Sequence, residues 1–285
     1  MAVTGREASV REGMLSLIVP THNRRALLEK KLRGLEEQAG HFEVVVVADG
    51  CTDDTLTFLR GYQPPYPLRV LETPGLGAAG ARNRGVEAAE GEVILFSDDD
   101  VMLMPGCVAA HQQAHARASR PTVFVGKLRL PKELKGSGAA EMLGPRAFWW
   151  NFTGNNSSLP KALLSAVGGY DAEGFAGYGG EDPDLGYRLM RAGARFVFLP
   201  EAEALHEAWA HQGEAMRRAR RAGAAHMRVY RKYGDSAIAW ALGVHPVLLA
   251  LKMAVLPWAK PLLGPRGDFE LAYAWGAWEE YQAPR

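Results

Sequence analysis

Between Leu15 and Phe96 the chain alternates short, β-rich apolar runs with stretches whose apolar residues recur at helical spacing, and this restricts the fold more than any other feature. Leu15 to Val19 and Glu43 to Val47 are almost continuously apolar, and between them Leu28, Leu32 and Leu35 share one face of a helix over Arg24 to Gln38. The alternation continues with a helix over Asp53 to Arg60, a strand over Leu68 to Leu71, a helix over Ala78 to Ala89 and a strand over Val93 to Phe96. Strands that are apolar along their length must be covered on both faces, so the pattern predicts an α/β fold with a mostly parallel sheet flanked by helices. Such sheets bind ligands outside the carboxyl ends of their strands. The loops beginning at Pro20, Asp49, Thr73 and Asp98 would meet there.

Beyond Gly106 the alternation weakens. A helix over Val108 to Ala118 and a strand over Thr122 to Leu130 precede an aromatic, polar stretch from Phe148 to Ser157. Next come a helix over Lys161 to Val167, a Gly-rich loop over Gly174 to Gly180, a helix over Pro183 to Ala192, a strand over Arg195 to Phe198 and a basic helix over Glu214 to Tyr233. The expected division is a polar tail over 1–13, an α/β domain over 14–209 with halves at 14–106 and 107–209, and a helical extension over 210–285.

The 33 basic residues nearly balance the 32 acidic ones, which argues against binding nucleic acid by bulk charge, although Arg217 to Lys232 is locally basic. Cys51 and Cys107 are too few for a disulfide framework and fit a reducing cytosol. The first fourteen residues contain no apolar h-region, so the expectation is a cytoplasmic protein. Ala237 to Leu263 is rich in Ala, Leu, Val and Trp but is interrupted by Pro and Lys, which favours two short amphipathic helices over a transmembrane span. With the preceding basic helix, residues 214–263 could rest on the inner face of a cell membrane, pack as a flap, or form a homodimer contact.

Asp98, Asp99 and Asp100 directly follow the apolar run ending at Phe96 and Ser97. Adjacent carboxylates at the end of a buried strand repel one another unless water or a cation relieves them. A divalent metal with hard oxygen ligands would do so, and an ion such as Mg²⁺ or Mn²⁺ commonly carries a phosphate-bearing substrate. An acidic surface turn is the plainer reading. Asp49 stands at the end of the second apolar run, where its carboxylate could accept from a base N–H or a ribose hydroxyl. Gly75-Leu76-Gly77-Ala78-Ala79-Gly80 fits a dinucleotide-binding loop, which keeps an NAD(P)-dependent oxidoreductase in view. Arg82 and Arg84 also make that loop attractive to a diphosphate.

In Gly180-Glu181-Asp182-Pro183, Asp182 is expected to be a helix N-cap with Pro183 in the first helical position. The same carboxylate could face a pocket, although helix amides would weaken it as a base. His206, just past a strand, suits a borderline metal such as Mn²⁺ as readily as a structural role. Trp149 and Trp150 could stack on a sugar or fill a core.

Taken in order, Ser16 to Asn23, Val47 to Asp53, Ala81 to Gly85, Phe96 to Asp100 and Gly180 to Asp182 resemble the motifs of family 2 glycosyltransferases with the GT-A fold. The block from Gly154 through Gly168-Gly169-Tyr170-Asp171 to His206 is similar to the carboxyl half of galactosyltransferase-type enzymes. The resemblance implies a metal-dependent, inverting transfer of a sugar from a nucleotide-diphosphate sugar, a UDP-sugar first, to a hydroxyl of a glycan, lipid or small molecule. It implies that Pro20, Thr21, Asn23, Asp49, Arg82, Asp98 and Asp99 face the nucleotide sugar, and that Trp150, Asn155, Gly180 and Glu181 face the acceptor. Asp100, His206 and Asp98 would hold Mn²⁺ or Mg²⁺, and Asp182 would be the general base, with Glu181 beside it. Two positions depart from the family pattern: Ala48 stands where many members carry an acid, and Cys51 replaces a usual serine. A non-catalytic sugar-nucleotide or glycan-binding module would keep the same acidic cluster.

Overall fold

The computed structural model describes residues 13–129, 147–175, 179–207 and 212–284. Eight strands among them form one sheet: β1 (Leu15–Thr21), β2 (Phe42–Asp49), β3 (Leu68–Thr73), β4 (Val93–Phe96), β5 (Val101–Leu103), β6 (Thr122–Arg129), β7 (Ser157–Pro160) and β8 (Arg195–His206), in the order β3-β2-β1-β4-β7-β6-β8-β5. The first four run parallel, with Leu17 of β1 opposite both Val44 and Leu95. β7 is antiparallel to β4 and β6, β6 and β8 are parallel, and β5 is antiparallel to β8. The sheet is therefore mixed beyond β4, and the half from β1 to β4 keeps the expected parallel order.

Helices α1 (Arg25–Leu35), α2 (Thr55–Gly61), α3 (Gly77–Ala88), α4 (Cys107–Ala116), α5 (Lys161–Ala166) and α6 (Glu181–Arg191) cover the sheet. Leu15, Leu17 and Val19 point to one face, packing with Leu28, Leu32 and Leu35 of α1 and Val108 of α4. Ile18, Val45, Ile94 and Phe96 point to the other, against Val86 of α3, Leu164 of α5 and Leu185 and Leu189 of α6. Each fully buried aliphatic side chain of this kind contributes roughly 1.5–3 kcal/mol, so the two faces fix the register of the central strands.

The carboxyl-terminal part is helical: α7 (Gln212–Tyr233), α8 (Ser236–Ala241), α9 (Pro246–Leu263) and α10 (Pro265–Gln282). A third core joins it to the sheet domain through Trp149, Phe175 and Tyr187, which pack with Met227, Val229, Leu249 and Phe269. α7 and α10 cross closely at Gly223 and Gly276, where any side-chain carbon would run into the backbone carbonyl of Tyr273 or Arg220.

Several boundaries move. β8 continues to His206, eight residues past Phe198, because its second half pairs with β5. In place of two short helices, the segment from Ala237 to Leu263 holds one short helix and one of 18 residues, and α10 completes the helical extension expected over 210–285. Asp182 is not an N-cap: Gly180, at φ 96°, turns the chain in a left-handed conformation that only glycine adopts freely, and the helix begins at Glu181. The polar tail over 1–12, Leu130 and residues 176–178 of the Gly-rich loop lie outside the described residues.

Candidate active site

The rim formed by the carboxyl ends of β1, β2 and β4 carries the acidic residues, and each has a partner that the strand order dictates. Asp49, at the end of β2, faces the β3–α3 loop. Its carboxylate accepts from the Thr73 hydroxyl (2.6 Å) and from the amides of Gly75 (3.1 Å), Leu76 (2.6 Å) and Gly77 (2.8 Å). Burial would raise its pKa, but these donors outweigh burial and hold it below the usual carboxylate range. The amides that a dinucleotide's diphosphate would need are thus already donating to Asp49, which removes the physical basis for an oxidoreductase built on Gly75 to Gly80. Arg84 contributes nothing to an anion site either, being exposed and paired with Glu87.

On β1, Thr21 donates to Asp99 Oδ2 (2.7 Å), and Arg24 donates from one nitrogen to Asp99 Oδ1 (3.1 Å) and Asp100 Oδ2 (3.0 Å). Burial raises the Asp99 pKa to about 6, against the pull of Thr21 and Arg24. Asn23, at φ 51°, accepts at Oδ1 from the amides of Thr52 (2.7 Å) and Asp53 (3.2 Å) and so ties the β1 loop to the β2 loop. Pro20, half-buried in β1, precedes this loop.

Beneath the aspartates lies Lys31, fully buried on the inner face of α1. Its Nζ donates to Ser97 Oγ (2.7 Å) and to the Val101 carbonyl (2.5 Å), one on each side of the acidic triplet. Burial lowers its pKa to about 8, with the charges of Asp98 and Asp99 opposing. The repulsion expected among the three carboxylates is therefore relieved within the chain by Arg24, Lys31 and Arg82.

Arg82, on α3 and almost entirely buried, donates to Asp98 Oδ1 (2.7 Å), approaches Glu181 at 3.7 Å and lies over the Tyr170 ring, 5.4 Å from its centroid. Burial works against its charge, but Asp98, Asp182 and Glu181 more than compensate, so the guanidinium stays charged. Asp182, at the start of α6, accepts at Oδ1 from the Gly154 amide (3.1 Å) and the Tyr170 hydroxyl (3.1 Å). Asn83 fixes Tyr170 in turn by accepting from its amide and donating to its carbonyl, both at 2.8 Å. The sequence suggests a carboxylate weakened by helix amides; instead burial raises the Asp182 pKa, outweighing Arg82 and Gly154. Glu181 is pushed up to about 7, by burial first and then by the charge of Asp182.

Several buried polar atoms around this pair have no hydrogen-bond partner: Arg82 Nε and Nη1, Asn155 Oδ1 and Glu181 Oε2. Unmet donors and acceptors of this kind are costly in a folded interior and are found where a ligand completes them. Trp150 stacks on the half-exposed Phe148 with ring centroids 4.5 Å apart and planes 9° apart. Trp149 is a core residue, edge-on to Tyr187.

The expected metal set is only partly assembled. Among the described residues no three His, Cys, Asp or Glu side chains gather as a ready metal cage, because Asp98 is turned toward Arg82. Asp100 Oδ1 and His206 Nε2 do face one another at 3.8 Å, at the junction where β5 pairs with the end of β8. Burial lowers the His206 pKa, with Asp100 opposing, and so favours the neutral imidazole that ligates metals. One carboxylate and one imidazole fit a partly hydrated Mn²⁺ that takes further ligands from a diphosphate.

A pH dependence follows for the ligand-free protein. Glu181 is held at about 7 in the fold against an ordinary value near 4.5, so the folded state binds the proton more tightly than the unfolded chain. Its contribution is full below pH 4.5 and is lost as pH rises toward 7. Glu181→Gln should remove part of that decline, read as a flatter profile of denaturant midpoint against pH, the rest belonging to Asp182, whose pKa is raised alongside it. A profile unchanged by the substitution would place the titration elsewhere.

Comparison with known proteins identifies the family and the fold. The profile described as Glycosyl transferase family 2 matches residues 16–161, and that described as N-terminal domain of galactosyltransferase matches residues 135–211. The chain belongs to glycosyl transferase family 2 and adopts the GT-A fold. It is 32% identical over 237 residues to validoxylamine A glucosyltransferase of Streptomyces hygroscopicus subsp. jinggangensis, a match that covers 68% of this chain and 56% of that relative. It thus spans little more than half the length of that relative. Among solved structures, a mannosyltransferase from Pyrobaculum calidifontis in complex with GDP-Man and Mn²⁺ superposes with a TM-score of 0.67 at 22% identity, covering 94% of this chain and 87% of that one. S. aureus TarS 1–349 in complex with UDP-GlcNAc gives 0.56 at 18% identity, covering 95% and 93%.

Sequence reasoning named the rim carboxylates but assigned no role to Arg24, Lys31, Asn83 or Tyr170. Lys31 carried a readable signal, since it falls between Leu28, Leu32 and Leu35 on the apolar face of α1, where a cation must find partners.

Proposed function

We propose that the chain transfers a hexosyl unit from a nucleotide-diphosphate sugar, a UDP-sugar first, to a hydroxyl of a glycan, lipid or small-molecule acceptor with inversion at the anomeric carbon. The observation that carries this reading is the partly buried Asp182 carboxylate, oriented by the Gly154 amide and the Tyr170 hydroxyl beside the Arg82–Asp98 pair. Its raised pKa gives it the basicity that an N-cap carboxylate would lack.

In this mechanism Asp182 accepts the proton of the acceptor hydroxyl as that oxygen bonds to the anomeric carbon. The bond from that carbon to the diphosphate oxygen breaks on the opposite side, and the electron pair leaves with the diphosphate. A single displacement of this kind inverts configuration. Arg82 stands where it can meet growing negative charge through Nε and Nη1. Asn155 Oδ1 and Glu181 Oε2 are acceptors for sugar hydroxyls, and the Phe148–Trp150 stack offers an aromatic face. Asp100 and His206 would hold the divalent ion, whose charge offsets that of the departing diphosphate.

The testing experiment is a thermal-shift panel of nucleotide sugars with and without Mn²⁺, followed by product analysis with simple acceptors. At a ligand concentration of about 100 Kd the right donor should add about 2.7 kcal/mol of stability. Stabilisation by no uridine or guanosine diphosphate sugar would sink the reading. Asp100→Ala should abolish the Mn²⁺-dependent part of that shift while the protein alone stays folded; an unchanged shift would remove Asp100 from the metal site.

A further inference from the structure

Helix α9 buries one side and leaves the other in solvent. Leu249 is fully buried and Met253 packs against the third core, whereas Val247, Leu251, Val255, Trp258 and Leu262 form a continuous stripe at intervals of four, four, three and four residues. The stripe is 67%, 59%, 49%, 85% and 90% exposed from Val247 to Leu262, so the two residues nearest the carboxyl end stand almost clear of the protein. Large apolar side chains gathered on one exposed face, as opposed to scattered singly, mark a surface that meets something.

By length and composition the run Ser236–Ala259, with a mean hydropathy of 1.7, could cross a membrane. Its conformation argues otherwise: Gly243, at φ 71°, breaks the run between α8 and α9, and Ile238, Val244 and Leu249 are fully buried in the protein core. Spanning would strip these residues from their packing. Lying flat would not.

Charge selects the occupant. No Asp or Glu occurs between Asp235 and Asp268, a stretch whose charged side chains are Lys252, Lys260 and Arg266, and residues 210–285 hold eleven basic against six acidic residues. A helix without carboxylates meets an anionic surface with no like-charge repulsion. Lys252 is itself paired with Glu270 of α10 at 2.8 Å, so the positive surplus that favours an anionic surface belongs to the extension as a whole, with its eleven basic against six acidic residues. Exposed Trp240, on the neighbouring α8, adds a second indole of the type that settles at headgroup depth.

We infer that the exposed face of α9 is a docking surface for an anionic lipid bilayer, on which the helix lies in the plane of the interface with Trp258 and Leu262 inserted. This places α9 on a membrane surface without crossing it and is independent of the reaction assigned to the sheet rim.

The test is co-sedimentation of the full chain with vesicles of phosphatidylcholine alone and of phosphatidylcholine mixed with phosphatidylglycerol. Pelleting is expected with the anionic vesicles and should weaken more than about tenfold in the double variant Trp258→Glu/Leu262→Glu, given what two inserted apolar side chains contribute. Both positions are exposed, so the variant's thermal transition and its donor binding should match those of the parent. Leu251→Ser/Val255→Ser provides a second variant, expected to weaken pelleting without adding charge. No pelleting with anionic vesicles, equal pelleting with phosphatidylcholine alone, or pelleting unaffected by either double variant would overturn the assignment. A dimer in light scattering that Trp258→Glu/Leu262→Glu dissociates, without vesicle binding by the parent, would give the face to a second copy instead.

Discussion

Asp182→Asn should lower sugar transfer by about 10²–10⁴-fold while leaving donor binding within a factor of about two, the loss expected when a positioned general base is removed. The amide keeps the shape of the carboxylate, and its oxygen can still accept from the Gly154 amide and the Tyr170 hydroxyl, so the local structure should hold. What is lost is the capacity to take a proton. The decisive comparison is kcat against the nucleotide-diphosphate dissociation constant, measured on the same preparation. Equal loss in both would make Asp182 a structural residue and would require another base. Glu181, held near 7 and carrying an unpartnered Oε2, is the neighbour that could fill that role.

The second large effect concerns stability. Arg82 is the almost fully buried cation that the partly buried Asp98, Asp182 and Glu181 share. Arg82→Met should destabilise the fold by about 3–5 kcal/mol, because removing one member of a buried ionic group leaves the others uncompensated. For a chain of this size that corresponds to a fall in melting temperature on the order of 10 °C. The double variant Arg82→Met/Asp98→Asn should recover part of the loss, since the carboxylate most directly paired with Arg82 would be gone as well. A single variant that melts within a degree or two of the parent would show that water reaches the cluster and screens it.

How much of this was legible beforehand follows from how each segment is stabilised. β1, β2 and β4 announce themselves because central parallel strands are covered on both faces, and composition records that directly. β4 falls on Val93–Phe96 as expected. β7 does not announce itself: Ser157-Ser158-Leu159-Pro160 is polar, and it becomes a strand because β4 and β6 supply partners on either side. Ser158 is satisfied there by His111 and His115, a contact between distant segments that no local pattern encodes. α10 falls within the helical extension expected over 210–285 but has no bounds there, and its Gly276 marks the close crossing with α7.

The site shows the same division. Residue types at the rim were visible, and the fold brings Asp98, Asp100, Arg82, Asp182 and His206 to the same end of the sheet. Their pairing was not visible, since it depends on which side chain reaches which neighbour. Asp49 reads as a nucleoside ligand but spends its carboxylate on the Gly75–Gly77 backbone, and Asp98 turns to Arg82 in place of joining Asp100. Asp182 reads as a cap because Pro183 follows it, yet Gly180 alone has the backbone freedom to start the helix.

Asp184 lies two residues beyond the proposed base and has no exposure to solvent, and its charge is met by Arg188 of its own helix and by Lys232 and Tyr233 of α7. Lys232 also grips Asp171, the residue after Tyr170. The region beside the proposed base therefore borrows counter-charge from a helix that begins after the sheet is complete. Without α7 the buried carboxylate would keep Arg188 but lose Lys232 and Tyr233, so the helical part serves as a buttress to this end of the sheet domain.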